Sequence, residues 1–241
     1  MVLPIGDDNT GRRITPRVTY VLIAANLAVW LYELSAGERF ISGYSTIPFE
    51  ITNGTDLTGT STVDVGGRPV TIPQAPGPSP IQLTLFTSMF MHASWEHFLG
   101  NMLYLWIFGD NIEDRLGHAK FLAFYLACGL AASLAMVAFS PESVIPGLGA
   151  SGAIAGVLGA YLIRYPKAPI RVVMMRTITT VPAFVALGLW ILLQVFGHIS
   201  VVGSQAGGVA YMAHIGGFVA GVALIFLLDR GSRTPPVIAY P

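Results

Sequence analysis

Long apolar stretches without charged residues, separated by short polar segments, dominate the sequence. Residues 18–32, 121–141 and 143–163 carry no charge, and residues 177–228 are uncharged throughout. As a single helix that last stretch would be roughly 78 Å long. This is about two bilayer cores plus a turn, which the polar, glycine-rich residues 197–208 would supply.

A weaker apolar stretch spans about residues 95–112 and is interrupted by Glu96, His97 and Asn101. Counted with the others, it predicts an all-α polytopic membrane protein with six transmembrane helices packed as a bundle. The predicted helices lie at about 18–35, 94–113, 119–139, 150–164, 177–197 and 208–228.

The distribution of basic residues supports the six-helix count. With the N-terminus inside, all Lys and Arg residues except Arg39 and Arg68 fall on internal segments, as the positive-inside rule requires. Omitting the weak second helix would invert every later loop. We therefore expect both termini in the cytoplasm, with residues 1–17 as a cytoplasmic segment, 18–229 as the membrane domain and 230–241 as a cytoplasmic tail. Residues 113–115 are interpreted as a solvated cytoplasmic corner.

The first external loop, about residues 36–93, is long. Its middle, residues 66–80, is rich in proline and glycine, which predicts irregular structure. Residues 81–92 are apolar but too few to cross a bilayer. We expect them to lie in the membrane interface or to pack on the bundle.

Composition excludes several classes of function. Hydrophobic residues make up 53% of the chain and charged residues only 11%, against about 25% charged in ordinary soluble domains. The formal net charge is zero, so a nucleic-acid partner is not expected. Cys128 is the single cysteine, which excludes an intrachain disulfide and a multi-cysteine metal site. The sequence has neither an HExxH motif nor a phosphate-binding loop, so we expect no metal and no other cofactor.

Polar residues at membrane depth are costly and usually functional. Ser151 opens the predicted fourth helix from the external side. His214 lies about 9 Å into the sixth helix, and Asn101 about 10 Å into the second, at 1.5 Å per residue. Three helices therefore place polar groups in the same layer of the outer leaflet.

Small residues accompany two of these polar groups along their helices. Small faces allow membrane helices to pack backbone against backbone, which a serine and a histidine need in order to come within hydrogen-bond distance. The small residues are Ala155 and Gly159 on the face of Ser151, and Gly217 and Gly221 on the face of His214.

These residue types predict a serine nucleophile with a histidine base. No acidic residue accompanies Ser151 and His214 into the layer, so a dyad is favoured over a triad. The oxyanion of an acyl-transfer reaction needs donors, and the Ser151 backbone N–H, His97 and Asn101 are the candidates. Gly149 lets the preceding loop turn tightly into the fourth helix.

The combination of motifs closely resembles the rhomboid family. Gly149-Ala150-Ser151-Gly152 is similar to its GxSG motif, and Ala213-His214-Ile215-Gly216-Gly217 with Gly221 to its AHxxGxxxG motif. His92, His97 and Asn101 are similar to its HxxxxHxxxN motif. The resemblance covers about residues 15–229. It implies that Ser151 is the nucleophile, that His214 is the base and that His97 and Asn101 line the oxyanion hole. His92, Gly149, Gly152, Gly217 and Gly221 would support these motifs.

The chain departs from the rhomboid pattern at two places. Some members carry an aromatic residue one turn after the serine, where it stacks on the base. This position is Ala155 here, so His214 must be held in another way. The long first external loop is also unusual, which leaves its role in gating or substrate positioning open.

The resemblance implies an intramembrane serine endopeptidase of the cell membrane, plasma or inner. It would contact lipid and cleave single-span membrane proteins near the outer leaflet. One alternative is an inactive rhomboid-like protein that binds membrane clients, although such members lack the serine or the histidine. Another is a small transporter or channel, which would need polar residues in the inner leaflet. Residues 157–163 and 221–228, the inner halves of the fourth and sixth helices, are almost wholly apolar.

Overall fold

The apolar stretches fold into helices that begin and end near glycines, prolines and charged residues. The computed structural model describes residues 2–64, 67–174, 177–201 and 208–229. The predicted tail, residues 230–241, and residues 202–207 of the predicted turn before the last helix lie outside the described residues. The helices are α1 (Arg17–Ala36), α2 (Glu38–Tyr44), α3 (Pro48–Asn53), α4 (Thr84–Thr87), α5 (Trp95–Leu116), α6 (His118–Phe139), α7 (Ser151–Arg164), α8 (Ala183–Val201) and α9 (Gly208–Leu228).

Four of the described helices, α1, α6, α8 and α9, are long and apolar enough to cross a bilayer. The chain is therefore a multi-pass membrane protein. Helix α5 has 22 residues but includes polar groups of the candidate site. Helix α7 has 14 residues, about 21 Å at the rise of an α-helix, against a hydrocarbon core of about 30 Å. Residues 152–161 of α7 are all buried, so this short helix is enclosed by its neighbours and need not match the thickness of the lipid.

The predicted fifth helix starts too early. Residues Thr177–Pro182 form strand β5, which pairs antiparallel with β4 (Pro169–Met174), and the helix begins only at Ala183. Strand β1 (Val2–Gly6) pairs with the other edge of β4, giving the order β1–β4–β5. The all-α expectation holds for the membrane helices and misses this sheet. The absence of charge hid the boundary, whereas the β-branched residues of Thr177–Pro182 favour a strand.

The expectation of irregular structure across residues 66–80 is wrong in part. Strand β3 (Pro69–Gln74) pairs antiparallel with β2 (Gly59–Asp64) in a hairpin. Every second residue of a two-stranded hairpin turns its N–H to an open edge, where proline loses no hydrogen bond. Pro69 and Pro73 are four residues apart and can both occupy such positions.

The apolar segment that follows the hairpin lies against the bundle, as one of the two expectations for it stated. It forms 3₁₀ turns at Ile81–Leu83 and Ser88–Phe90 on either side of α4. Leu85 and Met89 are buried. A Cβ atom at Gly129 of α6 would lie 2.0 Å from the Met89 sulfur, so the glycine makes room for this side chain.

The acidic end of α5, interpreted above as a solvated corner, is buried. The Glu113 carboxylate is fully buried and accepts hydrogen bonds from the backbone N–H groups of Val18 and Thr19 and from the Thr19 hydroxyl, at 2.7–2.8 Å. Asp114 accepts from the Arg13 N–H at 2.7 Å. The first N–H groups of a helix lack partners within it and favour a negative charge. These two acids therefore fix the start of α1, a pairing across about 95 positions that local sequence does not indicate.

A second acidic cluster holds the segment after β1. The Asp7 carboxylate accepts from the Tyr161 hydroxyl at 2.8 Å and from the Asn111 amide at 2.7 Å, and Arg12 pairs with Asp110 at 2.7 Å. Burial, with the nearby Asp110 carboxylate as a smaller cause, raises the pKa of Asp7 to about 7. In the folded protein, the buried position of Asp7 therefore favours the protonated carboxyl group.

Helices α7 and α9 are in contact backbone to backbone. A Cβ atom at Gly217 would lie 2.0 Å from the Gly152 carbonyl oxygen, and one at Gly221 would lie 2.0 Å from that of Gly156. On the opposing helix, a Cβ at Gly159 would lie 2.5 Å from the Phe218 carbonyl oxygen. The glycines therefore determine how closely the two helices approach.

Gly221→Ala should destabilise the protein, because the new methyl group would force α7 and α9 apart. Overpacking of this kind typically costs about 1–3 kcal/mol. Gly188→Ala in α8 is the matched control, since a Cβ there meets nothing within 4 Å. Thermal unfolding in detergent compares the two. Equal unfolding temperatures for both variants would contradict this account of the packing.

The pKa of Asp7 predicts a pH-dependent stability. The folded chain keeps the Asp7 proton that the unfolded chain releases near 3.8. Protonated Asp7 therefore stabilises the folded chain, and this contribution to the free energy of unfolding is lost as pH rises towards 7 and is absent above it. Asp7→Asn resembles the protonated acid, so its unfolding temperature should fall less than that of the wild type between pH 5 and pH 8. Parallel changes in the two proteins would show that Asp7 has an ordinary pKa.

Candidate active site

Ser151 and His214, the predicted nucleophile and base, are in direct contact. The Ser151 Oγ and the His214 Nε2 atoms are 2.8 Å apart, a normal hydrogen-bond length. Ser151 is the first residue of α7, and His214 lies in the second turn of α9. The glycine contacts between these two helices bring the side chains together.

The loop that enters α7 is shaped by Gly149. Its φ of +130° is strained for residues with a side chain, and a Cβ there would also lie 2.7 Å from the His97 ring. The Gly149 N–H donates to the Ser88 carbonyl at 2.8 Å, which ties this loop to the segment before α5. Two independent constraints therefore require glycine before the serine.

His97 and Asn101 lie one turn apart on α5. Ser94 caps this helix by accepting from the His97 N–H at 3.2 Å. The His97 ring covers Gly149, beside Ser151. The Nδ2 atom of Asn101 is buried and has no hydrogen-bond partner among the residues that the structure describes. Asn101 lines a cavity that Ser151 also lines, so an uncommitted amide donor is available in that cavity.

Two cavities meet at Ser151, and both are also lined by His97 and His214. One, of about 310 Å³, extends between α6 and the loop before α7 and reaches Met89 and Met136. The other, of about 240 Å³, lies between α5 and α8. The remaining residues lining the second cavity are Glu96, Gly100, Asn101, Tyr104, Ile154, Leu158 and Trp190.

His92 does not reach the serine, since it lines neither cavity. It is fully buried, and its ring contacts Trp30, Phe98 and His97, the last at a centroid distance of 5.2 Å. Its backbone N–H donates to the buried Glu33 carboxylate of α1 at 3.1 Å. The arrangement fits a role in supporting His97.

Two neighbours of His214, both on α8, are not predicted by the sequence motifs. The Nδ1 atom of His214 lies 2.8 Å from the Gln194 side-chain oxygen. The Trp190 ring lies 5.8 Å from the His214 ring, centroid to centroid. These two contacts hold His214 in a way that does not need an aromatic residue at Ala155. The available signal in the sequence is Gln194 itself, an amide within a long apolar run.

Comparison with known proteins agrees with the motifs. The rhomboid domain family matches residues 81–231, which include every candidate site residue. This chain belongs to the rhomboid family. The resemblance inferred from the sequence is thereby confirmed, while α1 and the β2–β3 hairpin lie outside the matched residues.

Rhomboid relatives come from bacteria and from organelles. The chain is 42% identical over 96 residues to Rhomboid protease GluP of Bacillus subtilis, covering 40% of this chain and 18% of that one. It is 32% identical over 147 residues to the mitochondrial Rhomboid protein 1 of Saccharomyces cerevisiae, covering 58% and 40%. It is 33% identical over 142 residues to the mitochondrial Presenilin-associated rhomboid-like protein A of Danio rerio, covering 55% and 37%. The chain thus spans less than half the length of these relatives.

Proposed function

We propose that this rhomboid protein is an intramembrane serine endopeptidase that hydrolyses peptide bonds in or near the transmembrane segments of single-span membrane proteins. The observation that carries the proposal is the 2.8 Å contact between Ser151 Oγ and His214 Nε2 at the meeting point of two cavities. The family match and the protease named among the relatives support it.

In the proposed reaction, His214 Nε2 takes the Ser151 hydroxyl proton while the oxygen attacks the substrate carbonyl carbon. The tetrahedral intermediate collapses as the peptide C–N bond breaks, and His214 gives the proton to the leaving amine. Water, activated by the same histidine, then hydrolyses the acyl-serine and releases the second product. The reaction as proposed uses protein groups and water.

The oxyanion of the intermediate would be bound by three donors. The Ser151 N–H belongs to the first turn of α7, whose N–H groups have no partners within the helix and lie at its positive end. His97 lies over Gly149 beside the serine, and the Asn101 amide is buried without a partner among the described residues. This free amide would be the donor whose bond to the oxygen strengthens in the transition state.

We further propose that α5 and α7 complete a six-span bundle with both termini in the cytoplasm of a cell whose plasma or inner membrane holds the protein. The basic residues support this orientation, since all but Arg39 and Arg68 fall on one side. In this assignment residues 18–229 form the membrane domain, between the cytoplasmic residues 1–17 and 230–241. Ser151 then faces the external half of the bilayer.

Ser151→Ala and His214→Ala should each abolish cleavage of a single-span substrate in liposomes. In soluble serine proteases, loss of either partner lowers the turnover rate by about 10⁶-fold, and the two losses do not add. Ser35→Ala, at the exposed end of α1, is the serine control. Gel analysis measures the rate, and mass spectrometry locates the cut, expected in the external half of the substrate helix.

Wild-type cleavage by Ser151→Ala would overturn the mechanism. Binding of the substrate without any cleavage by the wild type would instead favour the inactive, client-binding alternative. A cut in the cytoplasmic half of the substrate would contradict the proposed topology.

Asn101→Ala should weaken the enzyme rather than inactivate it. Loss of one oxyanion donor typically lowers the turnover number by about 10²–10³. Asn101→Asp should lose more, because it removes the donor and places a carboxylate where the oxyanion forms. Steady-state kinetics separate the effects: a raised KM with an unchanged kcat would assign Asn101 to substrate binding instead.

A further inference from the structure

A histidine that acts as a base must present the correct nitrogen. His214 can take a proton from Ser151 only if Nε2 carries a lone pair, which in a neutral imidazole requires the proton on Nδ1. A free imidazole exchanges between its two tautomers and can rotate. In serine proteases with a triad, a carboxylate on Nδ1 fixes both the tautomer and the ring.

The structure places an amide where such a carboxylate would stand. His214 lies between two partners, with Ser151 Oγ 2.8 Å from Nε2 and Gln194 Oε1 2.8 Å from Nδ1. An amide oxygen can only accept a hydrogen bond. In this orientation, Nδ1 donates its proton to Gln194, and Nε2 is left to accept from the Ser151 hydroxyl.

The neighbouring contacts of α8 hold Gln194 at this position. One turn before it, the Trp190 ring lies beside His214 and Phe218. One turn after it, Gly197 fits under Tyr211, since a Cβ there would lie 2.5 Å from the Tyr211 ring. Three successive turns of α8 thus meet α9, and Gln194 lies on the middle one.

The position of Gln194 in the membrane also favours a specific role. Its neighbours Leu192, Leu193, Val195 and Phe196 are exposed large hydrophobics on a helix able to cross a bilayer. An amide facing lipid is costly. Gln194 is half-buried instead, and its oxygen is directed at the histidine.

We propose that Gln194 is the positioning residue of the Ser151–His214 pair, which holds the His214 proton on Nδ1 and the ring against the serine. This inference rests on the proposed protease function. A neutral amide orients the imidazole without adding charge. The other titratable groups that line the cavities around His214 are His97 and Glu96, both on α5, and Tyr104 of the same helix; α7 contributes Ser151.

Gln194→Met tests the hydrogen bond, because methionine keeps the length and unbranched shape of glutamine but cannot accept from Nδ1. We expect kcat to fall about 10- to 100-fold, with KM little changed. This loss is smaller than the roughly 10⁴-fold found when a triad histidine is held in the wrong tautomer, since the freed ring still samples the correct one. Leu193→Met, on the outward side of α8, is the matched control and should keep the wild-type rate.

Gln194→Glu separates positioning from mere packing. It restores an acceptor at the same place, so it should recover more activity than Gln194→Met. Its carboxylate also stabilises the imidazolium, so the acidic limb of the pH profile of kcat/KM should move to higher pH. If the side chain at position 194 packed without reaching Nδ1, this limb would stay where it is in the wild type.

The outcomes distinguish this inference from the proposed function. If the wild type neither cleaves a single-span substrate nor reacts at Ser151 with a fluorophosphonate, the protease proposal fails, and this inference fails with it. If the wild type is active and Gln194→Met retains its kcat, or Gln194→Glu leaves the pH profile unmoved, Gln194 is not a positioning residue and the protease proposal stands. A loss in Gln194→Met matched by a lower unfolding temperature would also overturn the positioning role.

Discussion

The backbones of α7 and α9 touch at the glycine positions of α9, and the rest of the candidate site depends on this contact. Any side chain at Gly217 or Gly221 would meet a carbonyl oxygen of α7 at 2.0 Å. This contact sets the separation of the two helices that carry Ser151 and His214, whose Oγ and Nε2 atoms are 2.8 Å apart, and small residues are what let membrane helices approach so closely. Glycine also weakens a helix by roughly 0.5–1 kcal/mol relative to alanine. The contact between α7 and α9 is therefore obtained at the expense of local helix stability, which the enclosing helices must supply.

Buried carboxylates have the corresponding role at the opposite end of the bundle. Glu113 and Asp114 accept the N–H groups at the start of α1 and just before it, and Arg115 and Arg164 both pair with Asp229 after α9. Removing one partner from such a buried set leaves the other without compensation, which is strongly unfavourable. The polar interactions thus fix which helix ends lie together and how far each helix is shifted along the bundle axis. The glycines fix the distance between α7 and α9. The candidate site lies at the far end of α5 from this polar cluster, and α5 links the two regions, since it carries both Glu113 and the His97–Asn101 face.

The sequence predicted what depends on local pattern or on motif, and missed what depends on distant partners. Apolar runs predict the long helices, and the motifs single out Ser151 and His214, which are in contact in the structure. The start of α8 was misplaced because residues 177–182 are uncharged like a membrane helix but pair with β4. Glu113 and Asp114 were interpreted as solvated because their partners lie about 95 positions away. Gln194 is not predicted for a similar reason. Its contact with His214 depends on which face of α8 packs against α9, and the sequence of a nearly uniform apolar helix does not indicate that face.

The candidate site draws on four helices, and each supplies a different chemical requirement. Helix α7 provides the serine, α9 the histidine, α5 the donors beside the serine, and α8 the amide behind the histidine. No acidic side chain hydrogen-bonds to His214 among the described residues, so the site can form in a low-dielectric interior without the desolvation of a carboxylate, which is expensive at membrane depth. A neutral amide stabilises an imidazolium less than a carboxylate does. Under the proposed role of Gln194, the fixed tautomer and the close approach of α7 and α9 would have to compensate for the missing charge. On this view, small residues and a single amide allow serine chemistry within a chain that has few charges to place there.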